Sequence, residues 1–155
     1  MLSELTDAER KRLRKHYTEN REAHLLYLKG RHFVEKRSNE SLQMAERVYQ
    51  QALDLDPTYA PAWAGLSEIY FLGIGFHMLP GDPRAKAAAE KALAIDEALS
   101  EAHTSLARVL WQEDWNWVEA ERELKRALEL EPNNAFAHRI YGHYLASMGR
   151  HEEAL

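Results

Sequence analysis

The side chains able to do chemistry in this 155-residue chain are eight histidines, the run WQEDWNW at 111–117 and the basic run ERKRLRK at 9–15. Histidines hold metals or carry protons, a tryptophan cluster stacks on a ligand, and clustered cations meet phosphate. The histidines do not converge. His16, His24 and His32 would share a face only if one helix ran through Asn20, a residue type that starts helices rather than continuing them. His103 and His138 read as interhelical packing residues, and His143 and His151 fall on different helices. There is no HExxH, no phosphate-cradling glycine loop and no Gly-x-Ser-x-Gly. ERKRLRK lacks interleaved aromatics and reads as a solvated helix face. The chain is therefore expected to be neither an enzyme nor a metal or cofactor binder.

Composition narrows the class further. With 45% hydrophobic and 29% charged residues, the chain is an ordinary globular protein with enough length for a core. The net charge of −5 is uneven: residues 1–40 carry ten Lys/Arg against seven Asp/Glu, and the remainder ten against eighteen. An acidic body argues against a nucleic-acid surface. The absence of cysteine excludes disulfides, thiolate chemistry and the common structural zinc sites. The first twenty residues have no apolar run of the signal-peptide kind, and no segment approaches a membrane span of about twenty apolar residues. The expected location is cytoplasmic, with an extracytoplasmic part of a membrane-anchored regulator as the alternative.

What positions these side chains is a repeat. The segments AERVYQQALDLDPTYAPAWAGLSEIY, AKAAAEKALAIDEALSEAHTSLARVL and AERELKRALELEPNNAFAHRIYGHYL align without gaps. The alignment superposes Ala45, Ala85 and Ala120, then Ala52, Ala92 and Ala127, seven residues on and so on the same helix face. Small residues there let a neighbouring helix come close. Pro57 and Pro132, with Glu97 between them in register, mark where one helix stops and the next begins. Trp63, His103 and His138 then recur at one position of the following helix. Upstream, Thr6 and Glu9 form a capping box for a short helix over 7–16, and Asn20 is placed to cap the next.

This pattern resembles the tetratricopeptide repeat, a helix-turn-helix unit of about 34 residues. The resemblance implies an all-α, right-handed α-solenoid of antiparallel helix pairs, about 3.5 repeats preceded by an N-terminal helix over 1–20. Repeats are expected at about 23–59, 60–99 and 100–134, with a partial one at 135–155. The wording is also similar to the C-terminal repeat region of bacterial regulatory proteins, where such repeats follow a winged-helix, cyclase or kinase domain, often with a TolB-like segment between. That implies a sensory or scaffolding module excised from a larger protein.

By the same resemblance, the first helices line a concave groove. The family's groove positions fall here on His24, Tyr27, Arg31 and Val34, on Pro61, Ala64, Glu68 and Phe71, on Glu101, Thr104, Arg108 and Trp111, and on Phe136, Arg139 and His143. Tyr27, Phe71 and Trp111 would be flat apolar anchors. Arg31, Arg108 and Arg139 would be forked donors for a carboxylate or backbone carbonyl, since burial without a partner would be costly. The partner would be an extended peptide or a helix of another protein. Within WQEDWNW, Trp111 faces the groove and Trp117 packs in the core. Asp114 is an extra residue, and Trp115 stands where glycine is usual. The insertion is expected to remake the turn and fold Trp115 back over the helix pair.

Two other readings stay open. One is an oligomerising spacer, with a possible homodimer through an uncapped C-terminal end where Ile140, Tyr141, Tyr144 and Leu145 lose their cover. The other is a small-molecule sensor at the long repeat 2 loop over 73–82, near Phe71, Phe76 and His77.

Overall fold

The structure, a computed structural model, describes residues 18–73 and 81–154. The helix expected over 7–16 with its Thr6–Glu9 box, the run 9–15, His16, Phe76 and His77 lie outside the described residues. Those described form eight helices: α1 (Arg21–Lys36), α2 (Asn39–Leu55), α3 (Ala60–Leu72), α4 (Pro83–Ile95), α5 (Ser100–Gln112), α6 (Trp117–Leu130), α7 (Ala135–Ser147) and the short α8 (His151–Ala154). The all-α solenoid of helix pairs is the architecture observed. Each first helix packs on the next first helix, α1 on α3, α3 on α5 and α5 on α7, whereas the backbones of α2, α4 and α6 stand further apart, α2 and α4 meeting through the Arg84–Glu46 ion pair at 3.8 Å. A row whose backbones pack closely beside one whose backbones stand apart curves, with the first helices on the inner side.

The alanines carry this packing as their spacing implies: Ala45, Ala85, Ala120, Ala52, Ala92 and Ala127 are all fully buried. Tyr49 of α2 fills the joint between the first two pairs. Its ring lies against Gly30 of α1 and Gly65 of α3, where a Cβ at Gly65 would sit 2.6 Å from Tyr49 Cε2, and one at Gly30 would also overlap the ring. Both positions must lack a side chain for the two helices to close on the same ring.

Capping follows the sequence closely. The Asn20 side chain accepts from Ala23 N–H at 3.1 Å, as expected, and Asn134 caps α7 in the same way. The turns between pairs share one construction, with Tyr59, Leu99 and Asn134 N–H donating to the carbonyls of Asp56, Asp96 and Glu131. Over each turn lies the ring N–H of the recurring aromatic. Trp63 Nε1 donates to Pro57 O at 3.0 Å, and the Nε2 atoms of His103 and His138 make the corresponding bonds to Glu97 O at 2.8 Å and Pro132 O at 2.6 Å. The packing role expected of the two histidines is thus a specific one: they close turns.

The turns inside pairs differ from one another. After α7, Gly149 takes a left-handed conformation at φ 72°, with Arg150 N–H bonded to Leu145 O and Gly149 N–H to Ala146 O, a Schellman motif. After α5, Trp115 takes the left-handed conformation itself, at φ 56°, and Asn116 N–H reaches Leu110 O. The extra Asp114 lengthens this closure but does not spare Trp115 the left-handed backbone. Nor does Trp115 fold over the pair: it is 70% exposed and meets the Trp117 ring edge-on, with centroids 5.8 Å apart.

The C-terminal end departs from expectation as well. Ile140, Tyr144 and Leu145 are buried and Tyr141 is half-buried. Tyr144 donates to Trp117 O and stacks edge-on with Trp111, so the apolar surface expected there to drive self-association is covered.

Candidate functional site

On the inner side of the curve lies an open cavity of about 520 Å³. It runs from the last turns of α1 across the middle of α3 to the first turns of α5 and α7, so each successive helix offers an earlier part of itself. Tyr27, Arg31, Pro61, Ala64, Glu68, Glu101, Phe136 and Arg139, all expected in the groove, line it. Ala64 and Gly65, a methyl group and a bare backbone, line it on α3. Tyr27 forms one wall, held edge-on against Tyr59 at 5.3 Å and tilted against Tyr49 at 5.8 Å. Burial first, then the negative charges of Glu101 and Glu68, push the Tyr27 phenol up to about 12 against the pull of Arg31. It is therefore a neutral hydroxyl, able to donate or accept, at any physiological pH.

The charges are mixed. Three arginines, Arg31, Arg37 and Arg139, and four glutamates, Glu35, Glu68, Glu101 and Glu131, line the cavity. Such a lining does not suit a polyphosphate, which needs an excess of cations. It suits a backbone with side chains of both signs.

Phe71 and Arg108 do not line this cavity, but Arg108 is close enough to Glu68, Arg139 and Arg37, which do, for their charges to act on it. The Arg108 guanidinium lies 4.0 Å above the centroid of the Phe71 ring, a cation–π stack bridging α3 and α5. Burial presses its pKa down to about 10, and the charges of Arg139 and Arg37 add to this while Glu68 opposes it. The guanidinium stays protonated, but among the described residues it has no ion pair to offset its desolvation. Arg139 stacks in a similar way on Phe136, 5.4 Å from its centroid. Two of the three groove arginines, Arg108 and Arg139, thus rest on rings, while Arg31 is hydrogen-bonded to Tyr27.

Of the residues expected in the groove, His24, Phe71, Arg108, Thr104, Trp111 and His143 are not in the cavity lining. Thr104 is fully buried: its hydroxyl donates to Ser100 O, while Ser100 Oγ donates to Ala127 O and accepts from Asn134 Nδ2. This polar chain ties α5, α6 and α7 together, and it takes Thr104 out of the site. Trp111 is also buried, 7% exposed, in a core with Ala107, Ala120, Leu124, Ile140 and Tyr144. The volume left by Ala107 and Ala120 is filled by the indole, which turns away from the concave face. His143 is exposed on α7 but lies outside the cavity lining.

Other lining residues were not anticipated. Glu35 and Arg37 come from the end of α1, and Glu131, Asn133 and Asn134 from the turn before α7. A repeat frame that counts only first-helix positions has no place for turn residues, although Asn133–Asn134 is visible as a polar pair. Among the described residues no group of three His, Asp or Glu could hold a metal ion, and no helix is long and apolar enough to cross a membrane.

An array of helix pairs with a concave cavity on its first helices is the architecture of tetratricopeptide-repeat domains, and the comparisons agree. The first such domain of RPAP3 (Spaghetti), solved bound to the HSP90 peptide SRMEEVD, matches with a TM-score of 0.62 at 20% identity, over 87% of this chain and 99% of that one. MamA matches with a TM-score of 0.54 at 25% identity, over 79% of this chain and 67% of that one. In sequence, the type IV pilus assembly protein PilF of Pseudomonas aeruginosa is 35% identical over 83 residues, 54% of this chain. That match spans 32% of the length of PilF. No protein-family model matches the sequence.

Proposed function

We propose that this chain is a protein-interaction module that binds an extended peptide, or a helix of a partner protein, in the concave cavity. The observation that carries the reading is the Arg108–Phe71 stack beside the lining of Tyr27, Arg31, Glu68 and Arg139. A half-buried guanidinium without an ion pair is improved by a carboxylate or carbonyl from a ligand, and the ring beneath it offers apolar contact to the neighbouring side chain. Binding a segment with an acidic group next to an apolar one satisfies both, while Glu68 and Glu101 select a donor or a cation further along.

The experiment is a peptide-array screen with the wild-type domain and an Arg31→Ala/Arg108→Ala variant. Selected peptides should share an acidic residue flanked by an apolar one, and the double substitution should weaken them at least tenfold while the far-UV circular dichroism stays helical. Peptides that bind both proteins equally would remove the concave cavity from consideration. Trp111 is left intact because its truncation would test folding instead of binding.

The module is further proposed to act within a larger bacterial regulatory or assembly protein. The similarity to a third of PilF supports this, since that relative is bacterial and carries the matched stretch as one part of a longer chain.

A further inference from the structure

A second concavity, of about 440 Å³, lies away from the groove, where the start of α4 meets the turn after α5. Pro83 and Lys86 of α4, Val109 of α5, and Glu113, Asp114 and Trp115 of the turn line it. Two carboxylates and one cation line it, and Asp82 is near enough for its charge to act on Glu113. Asp82 is paired with Arg84 at 2.6 Å and Asp114 with Lys86 at 2.5 Å, which leaves Glu113 without an ion pair among the described residues. Burial first, then the charges of Asp114 and Asp82, hold the Glu113 carboxyl above its ordinary value. An additional cation here would therefore meet one uncompensated negative charge.

The wall of the pocket is Trp115, 70% exposed. Elsewhere this chain places cations over its aromatic faces: Lys29 and Lys36 over Phe33, Arg84 over Tyr70, Arg108 over Phe71 and Arg139 over Phe136. Tryptophan has the strongest π-face of the three aromatic types, yet among the described residues no cation covers Trp115. A bare indole two residues from an unpaired carboxylate, in one pocket, is half of a cation-binding arrangement.

We propose that the Trp115–Glu113 pocket receives a lysine or arginine side chain from a partner protein. Its ammonium or guanidinium would stack on the Trp115 indole and pair with the Glu113 carboxylate, and its aliphatic stem would lie against Pro83. Such a contact is independent of the concave groove and would give the module a second, edge-on point of attachment. The left-handed Trp115 backbone fits this role, because it costs conformational energy that Gly149 avoids in the matching turn and turns the indole outward.

The test follows the Trp115 indole N–H by NMR during titration with N-acetyl-arginine amide and N-acetyl-lysine amide, with N-acetyl-citrulline amide as the neutral isostere. Both cations should shift this signal saturably and citrulline amide should not. Trp115→Ala and Glu113→Gln, each with an unchanged circular dichroism spectrum, should each weaken binding at least about threefold, read for the first variant from the Glu113 and Val109 amides. Arg31→Ala/Arg108→Ala should leave the titration unchanged, which separates this site from the groove. Equal shifts with citrulline amide, or undiminished binding by both pocket variants, would overturn the proposal. So would concentration-dependent self-association abolished by Trp115→Ala, because the occupant would then be a second copy of the chain.

Discussion

The seams between repeats and the turn edge of this solenoid treat the same residue type in opposite ways. Trp111, at a seam, is buried against Tyr144 and the small faces of Ala107 and Ala120. Trp115, four positions on, stands in the open on a left-handed backbone. Seams are built from side chains whose volume is matched to a neighbour. Edges are built from backbone closure, and their side chains are left for other uses.

The largest expected effect would break this contrast at the seam. Trp111→Ala should destabilise the domain by about 3–5 kcal/mol in urea unfolding, whereas Trp115→Ala should stay within about 0.5 kcal/mol. Similar losses for both would mean that the edge is as tightly packed as the seam. The next test moves to another seam. Gly65→Ala drives a methyl into the Tyr49 ring and should cost about 1–3 kcal/mol, despite alanine's better helix propensity.

A third test asks whether a polar seam behaves as a packed one does. His103 has Glu123 Oε2 2.5 Å from Nδ1 and Glu97 O 2.8 Å from Nε2, so both ring nitrogens face acceptors and both bonds need the imidazolium. Burial opposes the charge, but the Glu123 hydrogen bond, the Glu97 carbonyl and the charge of Glu123 outweigh it, and the pKa is raised above 6.5. A raised folded-state value means that the contribution is complete below about pH 6.5 and is lost as pH rises through the folded value. The urea midpoint should therefore fall between about pH 6 and about pH 8.5 in the wild type and change less in His103→Gln. The smallest effect belongs to the edge: Trp115→Gly relieves the left-handed strain and should change stability by no more than about 1 kcal/mol in the same unfolding assay, in the stabilising direction.

The repeat was legible because its signals are periodic. Six alanines, two prolines and a capping asparagine each landed where their spacing put them, since a buried alanine or a turn proline has little choice of environment. The lining of the concave cavity was legible in part, for Arg31, Arg139, Tyr27 and Glu68. It failed at Thr104 and Trp111, where the direction of a side chain is decided by what the adjacent helices leave empty and not by its own register. Nothing in the local sequence shows that Ser100, Ala127 and Asn134 will draw the Thr104 region into a buried polar chain. The Trp115 turn failed for a different reason. The preference for glycine at a left-handed position is worth only about a kilocalorie per mole, and the rest of the turn's hydrogen bonds can override it.

The three ring N–H donors over the inter-repeat turns have an evolutionary side. An indole at Trp63 and imidazoles at His103 and His138 reach the same carbonyl six residues back. Tryptophan and histidine are thus interchangeable at this joint as hydrogen-bond donors, and differ only in that one of them titrates. By exchanging one for the other, descendants of this sequence can make individual joints responsive or indifferent to acidity without redesigning the array.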